Sequence, residues 1–63
     1  MKKPGYRIEL FQSSLSPEIY WATAKGRNEV YETGLDIGKK PALADARAFV
    51  RWKKGRVIRI EGR

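Results

Sequence analysis

Lys40, Arg47, Arg51 and Lys54 stand at successive intervals of seven, four and three residues. On a helix, residues so spaced share one side. The four then form a cationic stripe, and the ligand such a stripe fits is a file of phosphates. Arg47 and Arg51 have no acid four residues before or after them to pair with. A guanidinium also forks onto phosphate or guanine through two bonds, which an ammonium does not. Ala44 falls within the stripe, and its small side chain lets a phosphate backbone come close. Arg56 and Arg59 carry the basic character into the next segment, and Trp52 offers a flat face for a base or sugar. Each feature also has a purely structural account. Lys53 and Lys54 oppose the helix dipole, Arg59 guards an edge strand from aggregation, and Trp52 covers the rim of a small core.

Other chemistry finds little support. The chain has no His and no Cys, which excludes disulfides and the ordinary zinc sites. Ser13, Ser14 and Ser16 have no imidazole to activate them. The carboxylates alternate along strands, and no pair is placed to push its two pKa values apart. Gly38, Lys39 and Lys40 can hold an anion at a helix start, but the glycine-rich phosphate loop is absent. The expectation is a binding protein, not an enzyme, with no cofactor and no metal.

The charge is unevenly distributed. Fourteen Lys and Arg face seven Asp and Glu, for a net of +7. Residues 1–38 are balanced, while residues 39–63 carry nine cations against Asp45 and Glu61. The whole excess lies in the last 25 residues, a pattern that favours an anionic partner. No stretch approaches the roughly 18 apolar residues of a membrane span. Residues 1–6 are basic with no apolar segment behind them, unlike a secretory signal. A soluble cytoplasmic protein is the expectation.

The elements that must position these side chains follow from periodicity. Residues 6–11 alternate, with Tyr6, Ile8 and Leu10 on one face. Residues 12–17 form a polar turn. Residues 19–24 read as a second strand with Ile19 and Trp21 inward and Tyr20 outward. A turn at 25–28 leads to a third strand over 29–37, in which Tyr31, Thr33, Leu35 and Ile37 share a face and Gly34 marks a bulge or the end. The helix spans 41–54, with Pro41 at its first position and Leu43, Ala46, Phe49 and Val50 as its apolar stripe. Gly55 suits the left-handed residue after it. A last strand over 56–61 turns Ile58 and Ile60 inward. The prediction is a single α+β domain, an antiparallel β-β-β-α-β sheet packed on one helix. At 63 residues its stability is marginal without a partner, a ligand or self-association.

Three resemblances attach to these segments. Trp21, the Gly26 turn before Glu29 and Val30, and Lys39, Lys40 and Ala44 at the helix start resemble the small YegP-like domains, which implies a fold more than a role. Residues 20–23, then 43–52 and the strand 57–60, are similar to the T7-type phage inhibitors of host RNA polymerase. Three strands and a helix also resemble the arm-site-binding domain of tyrosine integrases, which lays its sheet in the major groove.

The functional expectation is a small bacterial or phage nucleic-acid-binding domain. Lys40, Arg47, Arg51, Lys54 and Arg56 take phosphates, and Arg59 and Trp52 take bases or sugars. Duplex DNA is favoured over RNA because exposed aromatics are few. The alternative is a module that docks on an acidic surface of a host enzyme, and a homodimer through an open sheet edge is compatible with either.

Overall fold

Strict alternation fixes the first strand. In the computed structural model, which describes residues 3–62, β1 spans Gly5–Gln12. Tyr6, Ile8 and Leu10 are buried on one face, and full burial of a side chain such as Ile8 stabilises the fold by about 1.5–3 kcal/mol. β2 (Ile19–Lys25) returns antiparallel, pairing Ile8 with Ala24, Leu10 with Ala22, and Gln12 with Tyr20. Paired residues share a face, so Tyr20 joins the core side and Trp21 lies on the other. This reverses the expected phase. Ile19, Tyr20, Trp21 and Ala22 form an unbroken apolar run, and such a run carries no alternation to set its phase.

The third strand divides. β3 (Val30–Glu32) pairs with residues 23–25 of β2, and β4 (Asp36–Ile37) pairs with Ile19 and Tyr20. Between them, three residues (Thr33, Gly34, Leu35) face two of β2, so one is extra and the alternation slips. Thr33 closes the gap: its N–H donates to the Ala22 carbonyl, and its hydroxyl oxygen accepts from the Ala22 N–H, both at 2.9 Å. The slip is why Tyr31, Thr33, Leu35 and Ile37 do not share a face. Leu35 and Ile37 are exposed.

α1 spans Lys39–Trp52, two residues earlier than its apolar pattern indicated. Gly38, at φ 98°, is the N-cap. Pro41 is therefore the third helical residue, still among the four whose N–H groups lack an intrahelical partner. Ala42, Ala46 and Val50 are buried beside Ala22 and Ala24 of the sheet, with Leu43 and Phe49 at the margin. Small residues on both sides let the helix settle on β2 and β1. Fourteen residues carry the chain about 21 Å, from the end of β1 back to its beginning. There the Arg56 N–H donates to the Pro4 carbonyl at 2.9 Å.

β5 (Arg56–Gly62) therefore runs parallel to β1, and the sheet is mixed instead of wholly antiparallel, in the order β3, β2, β1, β5. The register shifts between the pair Tyr6 with Val57 and the pair Arg7 with Arg59, leaving Ile58 as the extra residue. Ile58 and Ile60 are thus not an inward pair. They are 56% and 41% exposed, because α1 sits over β2 and β1 and leaves β5 largely uncovered.

Candidate nucleic-acid interface

The off-centre helix creates a trough between α1 and β5, an open cleft of about 1000 Å³. Val50, Val57, Ile58 and Ile60 give it apolar surface. Arg47, Arg51 and Lys54 line it from the helix and Lys3 from the segment leading into β1; Arg59 of β5 also borders it, but its pairing with Arg7 turns the side chain to the helix-free face. Among the described residues no acid lines it. Among the described residues, Arg59 is held by Glu61 at 3.1 Å, whereas no ion pair engages Lys3, Arg47, Arg51 or Lys54. Neutralising a polyanion with these four would break no ion pair among the described residues.

The helix end places the last of these cations. The Gly55 N–H donates to the Val50 carbonyl and the Lys54 N–H to that of Arg51, each at 2.9 Å. This is the Schellman pattern, with Lys53 as C-cap and Lys54 as C′. Lys54 is in the left-handed region at φ 57°, where glycine was expected one residue later. Gly55 is small for another reason: a Cβ on it would strike the Tyr6 ring and come within 2.9 Å of the Pro4 carbonyl. The sequence thus spends its glycine on a close approach and keeps a lysine in a backbone conformation that disfavours one.

The remaining expected contacts are dispersed. Lys40 lies on the same flank of α1 as Arg47 but about two turns away, outside the trough lining. Lys39 and Lys40 stand at a helix start that has no acid in its first turn, where the positive end of the dipole repels their charge. Arg56 is exposed and does not line the trough. Trp52, 73% exposed, sits on the far flank against Phe49 (ring centroids 6.1 Å) under the Lys53 ammonium at 5.4 Å. Lys3 is the one cleft cation that sequence reasoning left unassigned, because only the parallel pairing of β1 with β5 brings it there.

That far flank is a structural clamp. The Phe49 ring stacks on Tyr31 (4.3 Å) and meets Tyr6 edge-on (5.9 Å). The Tyr6 hydroxyl donates to Glu29, which also pairs with Lys53 at 3.2 Å. The Tyr6 hydrogen bond, with Lys53 assisting, holds the Glu29 carboxyl below its ordinary range although desolvation opposes the shift. The same bond raises the Tyr6 phenol, with desolvation adding to it. Burial raises the Tyr31 phenol, and Asp45 adds to the effect.

The helix-free face of the sheet has a different character. Register aligns Lys25, Arg7 and Arg59 across one row, and Glu32, Thr23, Glu9 and Glu61 across the next. Lys25 is bound to Glu9 at 2.8 Å, so these charges compensate one another. The following row is the stacked pair Phe11 and Trp21, 5.5 Å apart, near exposed Leu35 and Ile37. A line of carboxylates across its middle makes this face unsuited to a phosphate backbone. Among the described residues no group of His, Cys, Asp and Glu is arranged to hold a metal ion, and no helix is long and apolar enough to cross a membrane. No protein-family model, curated protein or solved structure matches this chain.

Proposed function

We propose that the protein binds nucleic acid through the trough between α1 and β5, with Arg47, Arg51 and Lys54 as its principal phosphate ligands. The observation that carries this reading is the convergence of Lys3, Arg47, Arg51 and Lys54 on one cleft whose lining, among the described residues, holds no acid. Such a surface attracts a polyanion over long range and binds it with little sequence preference. The strained backbone at Lys54 supports the same reading, since a left-handed non-glycine residue persists where something offsets its cost. Lys40 extends the path beyond the cleft. The test is fluorescence anisotropy of labelled oligonucleotides with the wild type and with Arg47→Glu combined with Arg51→Glu. Both side chains are exposed, so the variant keeps its circular dichroism and melting temperature while binding disappears. Unchanged binding would remove the trough as the site.

A second reading, a module that docks on a host or partner enzyme, has one observation of its own. The apolar end of the helix-free face, with Trp21, Leu35 and Ile37, has no use for a phosphodiester. An acidic protein surface would engage the same cations as nucleic acid does, and the charge-reversed variant would lose that partner as well.

A further inference from the structure

We infer that the polymer taken by the trough is a single strand, DNA or RNA, and not a duplex; the inference rests on the nucleic-acid reading above. Three features of the site lead there. The first is the crest of α1. At about 100° per residue, the positions most nearly opposite the buried Ala42, Ala46 and Val50 are Ala44 and Ala48, with Pro41 and Arg51 equally far to either side, all exposed. A helix laid in a major groove presents its crest to the base edges, and of these four side chains only Arg51, near the C-terminal end, has a hydrogen-bonding group. Arg47 and Lys54 stand on the flank instead, turned toward the trough.

The second feature is spacing. Arg47 and Arg51 are one turn apart, about 6 Å along the axis, and three more residues lead to Lys54. That is a single file of positive charge along one wall of the cleft. A duplex divides its phosphates between two strands that border a groove about 12 Å wide, so one file meets only one of them. The third feature is the apolar surface of the cleft. Ile58 and Ile60, 56% and 41% exposed, lie beside the cations within it. A duplex shows sugars and phosphates outward and keeps its base faces stacked inside, leaving these side chains nothing to cover them. A single strand has unstacked bases whose apolar faces can cover the isoleucines or stack on a guanidinium plane of Arg47 or Arg51 while its phosphates meet the other cations. Since among the described residues no aromatic ring lines the cleft, this packing discriminates poorly among bases and does not single out a 2′-hydroxyl.

The experiment compares labelled oligo-dT, oligo-rU and a mixed-sequence duplex, each of about ten nucleotides or base pairs, at one salt concentration. Wild-type protein should bind the two single strands about equally and about tenfold tighter than the duplex. Ile58→Thr with Ile60→Thr keeps β-branching on a half-exposed strand, and its melting curve verifies the fold. It should weaken single-strand binding by about tenfold, the effect of losing roughly 1.4 kcal/mol of apolar contact, and leave duplex binding unchanged. Duplex binding as tight as single-strand binding overturns the inference, as does an equal loss on both polymers in the isoleucine variant. No binding to any polymer instead overturns the nucleic-acid reading itself, so the two failures are distinct.

Discussion

Replacing Lys54 separates what its backbone costs from what its charge contributes. Lys54 occupies the C′ position at φ 57°, within a complete pair of Schellman hydrogen bonds. The left-handed conformation costs an L-residue about 1–2 kcal/mol. Glycine escapes that cost but has a more disordered unfolded state, worth about 0.4–1 kcal/mol in the opposite direction. Both Lys54→Gly and Lys54→Ala remove the ammonium and whatever it contributes at the helix C-terminus, so their difference isolates the backbone. Glycine should be the more stable by about 1 kcal/mol, or roughly 4–8 °C in melting temperature for a domain of this size. Thermal unfolding followed by circular dichroism reads the difference. The same two proteins should lose nucleic-acid affinity equally, because each lacks the same positive charge. An alanine variant as stable as the glycine variant would refute the strain argument. Unequal loss of affinity would show that the backbone, not the ammonium, matters for binding.

Other substitutions test the frame around the site. Gly55→Ala places a methyl group against the Tyr6 ring and the Pro4 carbonyl, and should destabilise by about 1–3 kcal/mol, seen as a lower urea midpoint. Thr33→Val removes the acceptor of the buried Ala22 N–H at similar volume; leaving that donor unsatisfied should cost about 1–3 kcal/mol, with faster amide exchange at Ala22. Glu29 has a lowered carboxyl pKa, so the stability it supplies is present above its unfolded value and lost as pH falls through the folded one. Glu29→Gln should therefore lower the melting temperature near neutrality and narrow the gap to wild type in acid. The Tyr6 phenol is raised, so its contribution is complete below its unfolded value and lost as pH rises through the folded one.

The α+β class, the first strand and the cationic side of the helix were legible because each rests on local periodicity. Tyr6, Ile8 and Leu10 alternate cleanly, and the intervals among Arg47, Arg51 and Lys54 are a property of any helix. Three features were hidden because they depend on contacts distant in sequence. The phase of β2 is set by where α1 needs alanine, at Ala22 and Ala24, and not by its largest residue, Trp21. The break after Glu32 depends on the Thr33 side chain meeting a backbone amide eleven residues earlier. The direction of β5 depends on the length of α1, which returns the chain to Pro4. That parallel pairing brings Lys3 to the cleft and leaves Ile58 and Ile60 uncovered, so the trough is a tertiary feature even though its cations follow a local pattern. The left-handed Lys54 was displaced from the expected Gly55 by packing on Tyr6, another contact that a window of neighbouring residues does not contain.

The salt dependence of binding tests the central claim most directly. Lys3, Arg47, Arg51 and Lys54 line the trough without an acid partner among the described residues. Four phosphates neutralised on a single strand give a slope of about −3 in log affinity against log salt, and removing two contacts brings it to about −1.4. The account predicts the first slope for the wild-type protein on oligo-dT and the second for Arg47→Gln with Arg51→Gln. A wild-type slope near zero, or one that the double variant leaves unchanged, would contradict it.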